Sequence, residues 1–229
     1  MPLLPGLTEE VSLRDRSYIF PDRAAAGRRL AETLADMIPG EAVVFAIPAG
    51  GLPVAAPIAR ALNLPLDLII VRKIQIPWNT EAGFGALTPD GEVLLNEALV
   101  QALELDQEQV ASQIALTRQN LEKREALFRG GRPYPDLTGK VALVVDDGLA
   151  SGYTMLAALK FIKKLNPEAT MAAVPTGLLE TIQRVLQEAT AVVCLNVRRK
   201  RPFAVAAAYR NWYDVPDNEV QRLLREFTR

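Results

Sequence analysis

The sequence contains no histidine. Serine and cysteine hydrolases that rely on an imidazole base are excluded with it, as are histidine-ligated zinc sites. Cysteine is nearly absent: Cys194 stands alone, so neither an intrachain disulfide nor a multi-cysteine metal site can form. Such a chain suits a reducing compartment, and a cytoplasmic location is expected. There is no excess charge of either sign, since 26 basic residues face 27 acidic ones for a net charge of −1. The chain therefore has no global attraction to nucleic acid or to acidic membranes.

Long apolar helices are also lacking. The uncharged stretch 42–59 is nearly long enough to span a bilayer, but Pro48, Gly50, Gly51, Pro53 and Pro57 break it into strand, turn and helix. No basic segment followed by an apolar block lies in Met1–Val11, so no signal peptide is expected. Repeats and low-complexity tracts are missing. The composition, 49% hydrophobic and 23% charged, is that of a globular chain able to build one sizeable core.

Asp22, an Ala-rich centre and the Pro39-Gly40 stop predict a helix over 21–38. Short apolar runs predict buried strands at 42–47, 66–71, 141–145, 169–174 and 191–197, with helices at 53–62, 153–165 and 178–188. Strands and helices alternate, so the expected fold is α/β, a doubly wound parallel sheet with helices on both faces. Residues 74–96 break the rhythm: Gly83, Gly85 and the Pro89-Asp90-Gly91 turn suggest a mobile excursion ending in a hairpin. Asp106 with Gln109 forms a capping box for a long helix whose Val110, Ile114, Thr117, Leu121 and Phe128 share one face. Residues 130–135 read as a linker. The tail 203–229 carries Tyr209, Trp212 and Tyr213, then a helix with Val220, Leu223, Leu224 and Phe227 on one face. A single domain over 1–229 is expected, with a core at about 20–197 and a small C-terminal hood at about 198–229.

The chemically informative run is 141–154. A buried strand delivers Asp146 and Asp147 to its C-terminal end, where open α/β sheets bind ligands. The loop Gly148, Leu149, Ala150, Ser151, Gly152 follows, and a helix opens at Tyr153 and Thr154. Glycines let backbone N–H groups approach an anion, the helix N-terminus adds partial positive charge, and Ser151 and Thr154 can donate to phosphate oxygens. Carboxylates repel phosphate, so Asp146 and Asp147 must serve donors elsewhere on the ligand, and a vicinal diol supplies two. Phosphate at one end and diol at the other describe a ribose 5-phosphate. Adjacent side chains on a continuing strand point to opposite faces, so both aspartates reach one sugar only if the strand has turned by Asp147.

This run resembles the phosphoribosyl pyrophosphate (PRPP) signature of type I phosphoribosyltransferases. Ile47-Pro48-Ala49-Gly50-Gly51-Leu52-Pro53-Val54-Ala55 resembles the loop that holds pyrophosphate in that family, and Val71-Arg72-Lys73 its basic partner. Phe128-Arg129-Gly130-Gly131-Arg132-Pro133, Phe20-Pro21-Asp22-Arg23 and Ala26-Gly27-Arg28 are similar to a stand-alone bacterial subgroup of predicted phosphoribosyltransferases. Two positions depart from the family. Ala49 stands where relatives often have arginine, and Ala150 where hypoxanthine–guanine enzymes carry an acidic base.

The resemblance implies transfer of phosphoribosyl from PRPP to an unidentified acceptor, a nitrogenous base, with release of pyrophosphate. Mg²⁺ is the implied cofactor, held mostly by the ligand, with Asp146 or Asp147 near. It implies that Arg72 and Lys73 assist the leaving group and that Ala49, Gly50 and Gly51 offer N–H groups to pyrophosphate. Residues 74–88 form a candidate lid, with Glu81 a candidate base that is otherwise a solvated loop glutamate. Tyr209, Trp212 and Tyr213 form either a stacking hood for the acceptor or plain core. A homodimer is implied by the family habit, and neither membrane nor nucleic acid is the expected partner. Two alternatives stay open: a non-catalytic PRPP or nucleotide sensor, and an RNA-binding regulator using Arg198-Arg199-Lys200-Arg201.

Overall fold

The computed structural model describes residues 4–38 and 40–227, without the side chain of Glu81. Pro39, the expected helix stop, and Met1–Leu3, the start of the Met1–Val11 stretch, lie outside the described residues. The central sheet has six strands: β1 (Leu7–Thr8), β2 (Ala42–Ala46), β3 (Leu66–Leu68), β7 (Val141–Val145), β8 (Ala169–Leu178) and β9 (Ala191–Arg198). Their spatial order is β1-β9-β8-β7-β2-β3, and every neighbouring pair is parallel. A second, three-stranded antiparallel sheet joins β4 (Arg72–Ile76), β5 (Asn79–Leu87) and β6 (Val93–Leu95).

The doubly wound expectation holds because the central strands are apolar on both faces. Val44, Ala46, Leu143 and Val145 pack with α1 (Arg23–Leu34) and α2 (Gly51–Ala61). Val43, Phe45, Ala142 and Val144 pack with α5 (Tyr153–Lys163) and α6 (Leu179–Val185). No helix among the described residues is long and apolar enough to cross a membrane. The short α3 (Glu97–Ala102) precedes α4 (Gln107–Phe128), which starts on the expected Asp106–Gln109 capping box. Thr117, Leu121 and Phe128 of its stripe are buried, with Val110 and Ile114 against the same core.

Several boundaries differ from expectation. Asp22 caps α1 by accepting from the Ala25 N–H at 2.7 Å, but the helix ends at Leu34 rather than at 38. β3 stops at Leu68, and β4 leads directly into the antiparallel sheet, so 74–96 is ordered by strand pairing rather than a bare excursion. β8 runs on to Leu178, pairing Thr176 and Gly177 with β9. β7 has ended by then, so Pro175 sits where one side of β8 has no partner strand and its missing N–H is tolerated. In the tail, Val220 and Leu224 of α7 (Asp217–Leu224) join the core cluster that contains α1 and α2.

Candidate active site

β7 ends at Val145, so Asp146 and Asp147 already lie on turning backbone, as shared access to one ligand requires. The Asp147 N–H donates to Asp146 Oδ1 at 2.8 Å. Asp147 Oδ2 accepts from Arg23 Nε at 2.9 Å. Tyr209 donates its phenolic O–H to the Asp147 carbonyl at 2.6 Å. Burial and the adjacent Asp147 carboxylate push Asp146 well above the usual carboxylate range. Burial raises Asp147 too, but the Arg23 guanidinium opposes that rise.

Arg23 is the site residue whose part the sequence does not reveal. It is 5% exposed, yet carries a charge. Its Nη1 donates to the Tyr213 carbonyl at 2.8 Å, and its guanidinium lies 3.9 Å from the centre of the Trp212 ring. Burying a guanidinium demands a counter-charge and acceptors; Asp147 and the Tyr213 carbonyl supply these, and the Trp212 ring covers its face. Of the two parts open to the tail aromatics, stacking hood or core, Tyr209 takes the core one. Tyr209 is 1% exposed, so it offers no open face. Its phenol is pushed well upward by burial and by Asp147. Trp212 and Tyr213 keep exposed surface but enclose Arg23.

Behind the carboxylates, the loop 148–154 rises to α5. Gly152 has φ +79°, a left-handed conformation that favours glycine, and a Cβ there would lie 2.5 Å from Thr181 Cγ2. Among the described residues, the N–H groups of Ala150, Ser151, Gly152, Tyr153 and Thr154 meet no protein acceptor. They form a nest of donors at a helix N-terminus, the chemistry of an anion cradle. Leu149 departs from its expected part: its N–H donates to the Thr176 carbonyl at 2.9 Å and its side chain is buried, so it anchors the loop instead of facing a ligand.

The 49–51 loop closes the other side. Residues Pro48 and Ala49 are joined by a cis peptide. A Cβ on Gly50 would collide with the Asp147 carboxylate, and one on Gly51 would come 2.6 Å from the Val145 carbonyl, so both must be glycine for this approach. The expectation of three free N–H groups is corrected at Gly51, whose N–H donates to the Ile47 carbonyl at 2.9 Å as the first turn of α2 closes. Ala49 and Gly50 keep theirs among the described residues.

Arg72 and Lys73 leave β4 on opposite faces. Burial and the nearby Arg124 guanidinium lower Arg72, while Asp217 opposes them. Its charged neighbours are thus Arg124 and Asp217, not the aspartate pair. The Lys73 stem passes over Gly83 of β5, where a Cβ would strike it. Glu81 lies on β5, and its side chain lies outside the described residues. Of the basic run, Arg199 pairs with Asp15 at 2.6 Å and Arg201 with Glu180, which neutralises much of its charge. Among the described residues no group of three or more His, Cys, Asp or Glu side chains forms a metal cage.

Fold and site together define a parallel α/β protein with a backbone anion cradle set against a carboxylate pair. A model of the phosphoribosyl transferase domain matches residues 18–208, and the chain belongs to that family. Two Mycobacterium tuberculosis proteins, MT0597 and Rv0571c, provisionally named as phosphoribosyl transferases, are each 38% identical over 209 residues, 90% of this chain. The chain spans about half the length of these curated relatives, 46%. The crystal structure of TT1426 from Thermus thermophilus superposes with a TM-score of 0.72 at 36% identity, covering 91% of this chain and 98% of that one.

Proposed function

We propose that the protein transfers the phosphoribosyl group of PRPP to a nitrogenous base and releases pyrophosphate. The observation that carries this reading is the juxtaposition at the end of β7: unpartnered N–H groups at 150–154 beside Asp146 and Asp147, with the 49–51 loop pressed against the same carboxylates. The cradle takes the 5-phosphate, through backbone donors and the Ser151 and Thr154 hydroxyls. Asp146 and the free oxygen of Asp147 accept from the sugar hydroxyls. Two half-buried carboxylates side by side are costly, and hydroxyl donors or a cation between them relieve that cost.

As the bond at C1 breaks, the sugar becomes oxocarbenium-like and pyrophosphate gains charge. The chain's task is to hold both ends fixed while charge separates, which needs no histidine. The N–H groups of Ala49 and Gly50 face the leaving group, and one of the two cations that β4 places on opposite faces, Arg72 or Lys73, assists it. Closure of the β4–β5 hairpin excludes the water that would hydrolyse PRPP.

The donor set fits Mg²⁺, since two adjacent carboxylates and no closed cage leave room for the ligand oxygens and waters this ion retains. Bound there, Mg²⁺ would neutralise pyrophosphate charge, and Asp146 or Asp147 would orient its shell. A cytoplasmic setting agrees with the lone, buried Cys194. A homodimer is the expected assembly, measurable by sedimentation.

Calorimetry with PRPP and Mg²⁺ tests the reading, followed by a nucleobase panel scored by pyrophosphate release. Absence of PRPP binding sinks it. The sensor reading is favoured by one observation, the engagement of Asp147 by Arg23, and PRPP binding without turnover of any base selects it.

A further inference from the structure

The three carbonyls at the heart of the cradle loop are all claimed from one side. The Leu149 carbonyl accepts from the Leu178 N–H at 3.1 Å. The Ala150 carbonyl accepts from the Thr181 hydroxyl at 2.7 Å, and the Ser151 carbonyl from Arg184 Nη2 at 3.0 Å. Arg184 Nη2 also reaches Thr181 Oγ1 at 3.3 Å, linking the two side chains. Leu178, Thr181 and Arg184 follow one another at steps of three, the spacing that brings residues to one face of a helix. They lie on α6 and its N-cap, well outside the phosphoribosyl signature.

These peptides are trans, and in a trans peptide the carbonyl and the following N–H point in opposite directions. Pinning the carbonyls of 149, 150 and 151 toward α6 therefore aims the N–H groups of Ala150, Ser151 and Gly152 away from it. Those are among the N–H groups that meet no protein acceptor. We infer that Thr181 and Arg184 are positioning residues for the phosphate cradle, holding its backbone turned toward a sugar phosphate before the ligand arrives. Thr181 is fully buried, its methyl faces Gly152 and its hydroxyl is spent on the Ala150 carbonyl. Arg184 adds a positive charge directly behind the loop while its Nε and Nη1 carry no protein hydrogen bond among the described residues. A loop already turned loses less conformational freedom on binding, which raises affinity without any new contact.

The inference rests on the proposed function, and its test separates the two. Calorimetry is run on the whole chain with ribose 5-phosphate and, separately, with inorganic pyrophosphate, for the natural protein, Thr181→Val, Thr181→Ser and Arg184→Gln. Thr181→Val keeps the volume and removes the donor; ribose 5-phosphate affinity should fall about tenfold, equivalent to roughly 1.4 kcal/mol, while pyrophosphate affinity stays within about twofold. Thr181→Ser restores the natural affinity. Arg184→Gln should weaken ribose 5-phosphate about threefold, and it reports on the idea even if Thr181→Val fails to fold. Natural affinity for ribose 5-phosphate in both Thr181→Val and Arg184→Gln overturns the positioning role, as does an equal loss for both ligands. A natural protein that binds PRPP but ignores ribose 5-phosphate overturns the pre-turned cradle, and one that binds neither overturns the proposed function itself.

Discussion

Arg23 and Asp147 stand 124 residues apart in sequence and meet through one hydrogen bond of 2.9 Å. That pair ties α1 to the end of β7, and through the Tyr213 carbonyl and Trp212 it ties both to the tail. It also offsets negative charge at Asp147, so a polyanion can approach the neighbouring cradle against less repulsion. Arg23→Ala leaves a partly exposed carboxylate without its counter-charge and opens space under Trp212, and should lower unfolding stability by about 2 kcal/mol. Arg23→Lys should recover part of that, since it keeps charge but not the planar face against Trp212. Denaturant titrations read by tryptophan fluorescence decide the matter; a loss under about 0.5 kcal/mol removes Arg23 from this role.

The two aspartates should not respond alike. Asp147→Asn strands the Arg23 charge and should cost stability as well as PRPP affinity. Asp146→Asn removes a carboxylate that burial and its neighbour already disfavour, so it should lower PRPP affinity while leaving stability equal or higher. Parallel melting curves and PRPP titrations compare them. Identical melting temperatures for both variants would contradict the asymmetry, and unchanged PRPP affinity in the double variant would count against the diol assignment.

The cradle separates affinity from stability in a second way. Ser151 is exposed, so Ser151→Ala should weaken phosphate binding several-fold, on the order of one lost hydrogen bond, with almost no change in melting temperature. Gly152→Ala does the reverse of a neutral change: the residue has φ +79° and a new Cβ would press on Thr181, so stability should fall by about 1–2 kcal/mol. A Gly152→Ala protein as stable as the natural one would mean that the loop relaxes freely.

What the sequence shows and what it hides follow from range. Strand β7, the glycine loop and the Asp106 capping box are local patterns, and each is legible because every partner lies within a few residues. The antiparallel sheet is harder, since Gly83 and Gly85 suggest looseness where they in fact let β5 pass close against Lys73, Leu94 and Leu95. Arg23 looks like any polar residue in a helix first turn; nothing nearby in sequence marks it as the counter-ion of Asp147. Thr181 and Arg184 are hidden for the same reason, because their acceptors lie some thirty positions earlier, 31 and 33 residues away. The free N–H count at Gly51 depends on where α2 begins, and Pro53 suggests a start two residues late.

Arg129 makes the last prediction, on stability and its pH dependence. Its side chain is fully buried and bonds to Asp67, to Glu125 at 2.9 Å and to the carbonyls of Leu68, Arg132 and Pro133, with its guanidinium 3.7 Å from the centre of the Tyr134 ring. This knot fixes the end of β3 just before Arg72 and Lys73 open β4. Arg129→Met should destabilise by about 3–5 kcal/mol, because Asp67 and Glu125 would lose their shared counter-charge. Glu125 offers a gentler probe. Burial raises its carboxyl above the ordinary range although Arg129 opposes the rise. A carboxyl raised in the folded state binds its proton more tightly there than in the unfolded chain. Its contribution to stability is therefore complete at pH values below the ordinary glutamate range, near about 4.3, and is lost as pH rises through the folded value. Glu125→Gln cannot titrate, so the fall in stability from about pH 4 toward neutrality should be shallower in the variant. Urea titrations at a series of pH values measure it, and parallel curves for the two proteins would show that Glu125 titrates normally in the fold.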